Sequence, residues 1–149
     1  MTKQRLVFAS LTGLAIAMTS GIAGVAPAAG HKCTPAVLDG FYVFTASGFT
    51  IVGGVAQPVA IVEQIRFNGD GTADVPGGRV SVNGSVFPTV APGTYTISTL
   101  TSTNRGCEGS LSFPGVNLYM FIPPDARDIQ MIRTDPNTVF QGTATMVSQ

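Results

Sequence analysis

From residue 38 onward, apolar and polar residues alternate with the period of a β-strand rather than that of a helix. In Val59–Phe67, Val59, Ile61, Ile65 and Phe67 share one face, and Val62, Gln64 and Arg66 share the other. Leu38–Ser47 is aromatic and β-branched, the composition that suits a pleated, half-buried surface. Further short runs follow at Thr72–Val75, Arg79–Val86, Gly93–Thr101, Gly109–Phe113, Val116–Ile122, Asp128–Thr134 and Val139–Val147. Turn-forming clusters separate them: Pro76-Gly77-Gly78, Ala91-Pro92-Gly93, Asn104-Arg105-Gly106, Pro123-Pro124-Asp125 and Asp135-Pro136-Asn137. Asn68-Gly69-Asp70-Gly71 is the strongest hairpin signal. No segment of ten or more residues in this part combines a 3.6-residue period with freedom from Gly and Pro.

Eight or nine strands joined mostly by short turns predict an all-β, antiparallel meander. A closed small barrel is favoured over a β-sandwich, because short hairpins outnumber long crossovers and closure removes exposed edges. The absence of Trp and the cysteine spacing argue against an immunoglobulin domain. Two segments are apolar on both faces: Phe41 and Val43 oppose Tyr42 and Phe44, and Leu118, Met120 and Ile122 oppose Tyr119 and Phe121. A wall of this kind calls for a cover on its outer face. Either the N-terminal segment or a loop supplies it, or a second copy does, in a homo-oligomer.

The first thirty residues have a different pattern. Lys3 and Arg5 precede the apolar run Leu6–Ala17, and small residues lead to Ala26-Pro27-Ala28. This is the order of a secretory signal peptide, with cleavage expected near Ala28. An uncleaved anchor is the alternative, but Gly13, Gly21, Gly24 and Pro27 make a poor membrane helix. Residues 29–149 then form a single domain, secreted or periplasmic.

Composition refines this picture. The 149 residues are 44% hydrophobic and 11% charged, with eight basic and eight acidic side chains. Removing residues 1–28 takes away two cations and leaves a net charge of about −2. Nothing in that balance favours nucleic acid. Cys33 and Cys107 are the only cysteines, and in an exported chain an even pair reads as a disulfide. Closing a loop of about 75 residues corresponds to roughly 4.5 kcal/mol of chain entropy, with ~2–4 kcal/mol more usual. Acylation of Cys33 is disfavoured by the Gly30-His31-Lys32 that precedes it.

The order of Gly40–Phe44 (GFYVF), Phe67–Thr72 (FNGDGT), Gly93–Thr96 (GTYT), Cys107–Leu111 (CEGSL) and Phe140–Thr145 (FQGTAT) resembles small exported bacterial β proteins of unassigned function. The resemblance covers about Cys33–Val147. It implies a compact barrel of the lipocalin or allene-oxide-cyclase kind, and it brings no catalytic residue with it.

Most familiar site chemistry is missing. His31, the sole histidine, stands at the expected mature N-terminus, where it cannot hold register with a nucleophile. One histidine and two cysteines make a poor zinc set. Asn68–Asp74 superficially resembles a calcium loop, but Arg79 stands where the closing carboxylate belongs. Gly53-Gly54 lacks the lysine and helix of a phosphate cradle. Asn83-Gly84-Ser85 matches a glycosylation sequon. No cofactor is called for.

Glu63 is the informative exception. Alternation puts it on the face of Ile61, Ile65 and Phe67, toward the interior, where a carboxylate needs a partner or a proton. Arg133 shares a face with Ile129 and Met131 and is the candidate partner. Glu63, Arg133, Ile61, Ile65 and Tyr95 are therefore the candidate pocket residues. The expected function is binding of a small apolar ligand, or a structural or interaction role, without nucleic acid or membrane attachment after cleavage. A cyclase- or isomerase-type enzyme using the pocket carboxylate is the alternative.

Overall fold

The computed structural model describes residues 32–100 and 106–149. The expected signal peptide, its cleavage point near Ala28, and His31 lie outside the described residues. A short 3-10 turn, Pro35–Val37, leads into eight strands. They are β1 Asp39–Val52, β2 Val55–Asn68, β3 Thr72–Val82, β4 Ser85–Thr99, β5 Cys107–Phe113, β6 Val116–Ile122, β7 Asp128–Arg133 and β8 Thr138–Ser148. Each pairs antiparallel with its sequence neighbour, and β8 closes on β1, so the meander is a closed barrel.

The hairpin turns follow from local chemistry. Gly53-Gly54 and Asn83-Gly84 have positive φ at both central positions (60° and 81°, 48° and 86°), as the tight turns matching strand twist require. The second of these pairs carries the sequon. It splits the expected Arg79–Val86 run, so Arg79–Val82 closes β3 and Ser85-Val86 opens β4. Asn68–Gly71 turns as expected, with Asp70 accepting from the Thr72 amide (2.9 Å) and hydroxyl (2.6 Å). Those bonds hold the Asp70 carboxyl below its ordinary value.

Three expected breaks are strand instead. Ser47–Pro58, which lies between the expected runs Leu38–Ser47 and Val59–Phe67, is the paired tip of the β1–β2 hairpin. Pro76-Gly77-Gly78 does not end a strand but lies where the β3 register shifts between Val75 and Gly78. Ala91-Pro92-Gly93 lies within β4 because Ser85–Gly93 pairs only with β3; pairing with β5 begins at Thr94. Pro88 and Pro92 therefore sit on a free edge, where a missing N–H costs little.

Inward positions pack the barrel axis, and outward positions mix hydroxyl and amide groups with exposed apolar residues such as Val43, Val62 and Ile132. Across the outer face Thr96 and Ser110 are bonded at 2.8 Å, and the Thr145 hydroxyl donates to Asp128 at 2.7 Å. The outward aromatics of the two-faced segments are partly covered by the chain itself. The Arg66 guanidinium lies 5.1 Å from the Phe41 ring centre, and the Tyr119 hydroxyl donates to Glu108 at 2.8 Å. No helix among the described residues is long and apolar enough to cross a membrane.

Candidate ligand cavity

The barrel has a filled end and a hollow end. At the filled end Tyr42, Ile65, Phe67, Leu111, Met120, Ile122 and Ile129 are fully buried. Phe67 stands edge-on to both Tyr42 and Tyr95, with ring centres 5.3 and 5.1 Å apart. The Tyr42 hydroxyl donates to the Ala126 carbonyl at 2.9 Å, and burial pushes its pKa up to about 12. The Tyr95 hydroxyl reaches the carbonyls of Pro35 (2.9 Å) and Leu38 (3.0 Å), tying the 3-10 turn across the barrel end. The Cys33–Cys107 disulfide is formed beside it, with Cys107 fully buried.

At the other end the long strands β1 to β4 rise above the shorter β5, β6 and β7, and the interior holds a cavity of about 410 Å³. Its walls include Phe44, Val75, Phe113, Leu118 and Phe140, with Ile61, Glu63, Thr89 and Arg133 among them. Its mouth is framed by the hairpin tips Ser47–Val62 and Val80–Gly93, which carry no charged residue. Phe49, Ile51, Val52, Val55, Val86 and Phe87 are exposed there. A second, more open depression of about 640 Å³ lies on the outer wall, lined by Thr45, Gln130 and Gln141 together with Val62, Tyr119 and Ile132.

Three of the five sequence candidates thus meet in one place. Glu63, Arg133 and Ile61 line the cavity, whereas Ile65 and Tyr95 are buried at the filled end, outside its lining. Alternation alone could not separate them, because both groups face the same interior.

Glu63 sits in a row across three strands: it pairs with Gly78 of β3, which pairs with Thr89 of β4. A Cβ at Gly78 would collide with the Glu63 side chain and lie 2.5 Å from the Thr89 hydroxyl oxygen. The missing side chain therefore makes the notch in which these two groups face each other. Burial raises the Glu63 carboxyl above its ordinary value, and the Thr89 hydroxyl partly offsets this. Yet no hydrogen bond of adequate geometry joins them, and the Thr89 oxygen is buried without a partner.

Arg133 is not the partner of Glu63. Its Nε bonds Asp135 Oδ2 at 2.7 Å, its Nη2 donates to the Gly115 carbonyl at 2.7 Å, and its guanidinium lies 5.5 Å from the Phe140 ring centre. Asp135 also accepts from the Asn117 amide (2.8 Å) and side chain (2.7 Å). These bonds, the Asn117 amide first, hold the Asp135 carboxyl down at about 2. The arginine charge is neutralised locally by the β7–β8 turn, two residues along the chain. Gly78 and Thr89 were missed in the sequence, although a Gly-Gly pair inside a β-pattern is a recognised sign of a bulge or a close approach.

Among the described residues no three His, Cys, Asp or Glu side chains gather as a metal site. Comparison with protein-family models, curated proteins and solved structures finds no match.

Proposed function

We propose that this chain is an exported binding module that takes a small apolar molecule into the hollow end of its barrel. The observation that carries this reading is the unequal filling of one continuous interior, solid beside the disulfide and open beneath the hairpin tips. A cavity of about 410 Å³ falls within the range of small-ligand sites, which are mostly apolar with a few polar groups. Export is supported by the disulfide and by the N-terminal pattern of basic, apolar and small residues. The resemblance to lipocalin-like barrels belongs to the same reading.

The test is titration with N-phenyl-1-naphthylamine, a neutral apolar dye, alongside native mass spectrometry. The expected result is saturable binding of one dye per chain, weakened at least about tenfold in Ala91→Phe, which fills the cavity from β4. No binding, or equal binding by the filled variant, would defeat the proposal. The same spectra report whether the chain is a monomer or a homo-oligomer.

A second reading rests on Glu63 alone: a half-buried carboxyl with a raised pKa, facing an apolar cavity, is suited to move a proton in a cyclase- or isomerase-type reaction. Recovery of a bound compound chemically unchanged after prolonged incubation would count against it.

A further inference from the structure

The cavity contains two polar groups, Glu63 and Thr89, that face each other and have no charged partner among the described residues. Glu63 forms no ion pair among the described residues, where Arg133–Asp135 is the one salt bridge. Thr89 Oγ1 is shielded from solvent and accepts no hydrogen bond. Gly78 keeps the space between them clear. The notch therefore presents three acceptor oxygens, two from the carboxylate and one from the hydroxyl, at one wall of an apolar chamber. A half-buried carboxylate is stabilised by a cation more than by any neutral donor, and an ammonium group carries three donors on one centre. The only cation on the cavity wall, Arg133, is paired with Asp135 and does not neutralise Glu63.

We propose that the cavity selects an apolar amine, with its ammonium group seated on Glu63 and Thr89 and its hydrocarbon part against Phe44, Phe113 and Phe140. This rests on the ligand-binding reading above and names the class of ligand. Aromatic walls suit that class twice, since their faces attract cations while their area buries hydrocarbon.

Displacement of N-phenyl-1-naphthylamine by decylamine, decanol and decanoic acid at neutral pH tests it. The three competitors share a tail and differ only in the head group. In the wild type, decylamine should displace the dye at a concentration at least about tenfold lower than decanoic acid, with decanol between. In Glu63→Gln the three, each referred to the dye affinity measured afresh in that variant, should converge to within about twofold. Thr89→Val should lose part of the amine preference and leave the order of alcohol and acid intact. Equal displacement by all three in the wild type, or preference for the acid, would overturn the amine assignment while leaving the cavity as a binding site. An amine preference that survives Glu63→Gln would overturn it equally. Absence of dye binding would remove the binding reading and this inference together.

Discussion

The two ends of the barrel are built from the same alternation of residues and are energetically opposite. At the disulfide end Tyr42, Ile65, Phe67, Leu111 and Ile122 are buried in one cluster, and two tyrosine hydroxyls find backbone carbonyls. At the other end Glu63 and Thr89 face a cavity, and the hairpin tips expose Phe49 and Phe87. The difference teaches that closure alone does not decide whether a small barrel is solid. Eight strands leave an interior that side chains can just fill. Here large residues fill one half, while Gly78 and Ala91 stand in β3 and β4 of the other.

The sharpest way to break the comparison is to cut the same side chain from each end. Phe67→Ala at the filled end should cost about 3–5 kcal/mol, the range for a fully packed aromatic. Phe113→Ala at the hollow end should cost less than half of that, because its ring already borders empty space. Chemical denaturation of both variants checks it, and equal losses would refute the division into filled and hollow halves. Next in size, Cys33→Ser with Cys107→Ser should remove about 2–4 kcal/mol. Dye binding at the distant cavity should persist wherever the doubly substituted chain remains folded.

Tyr42→Phe should cost about 1–2 kcal/mol, since the Ala126 carbonyl loses its buried donor. The wild-type hydroxyl adds a pH dependence of its own. Its raised folded pKa means that its contribution is complete below the ordinary tyrosine value and is lost as pH climbs toward about 12. Tyr42→Phe should therefore flatten the alkaline limb of a stability profile.

The smallest effect belongs to Glu63. Its pKa is raised on folding, so its contribution is most favourable below the ordinary glutamate value and declines as pH rises through the folded value. Glu63→Gln should be slightly more stable than wild type at neutral pH, and that advantage should vanish in acid. Thermal melts across that interval measure it; a destabilised variant at neutral pH would mean that Glu63 has a partner after all.

Much of this architecture is legible residue by residue. The alternation in Val59–Phe67 puts Ile65, Phe67 and Glu63 on one face, and the structure keeps them there. The cysteine pair reads as a disulfide, and the short turns read as a barrel. Proline and glycine misled where their effect depends on neighbours. Pro92 ends a strand only if both its edges must pair, and the β5 side of β4 is free at that point. Arg133 looks like the partner of Glu63 because both point inward, but Asp135 is two residues away and captures it at 2.7 Å. A charge two residues along the chain is available at little entropic cost, whereas one across the barrel depends on register and distance.

The sequence by itself determined the period of two, the antiparallel order, the cysteines that join, and the inward direction of Glu63. Those properties are local, set by pleat geometry and turn chemistry within a few residues. Only the tertiary structure decided which inward residues touch and which are left facing space. That outcome depends on volumes contributed by several strands at one level of the barrel. The row Glu63–Gly78–Thr89 belongs to no single strand, and it exists only because three hairpin registers bring it together.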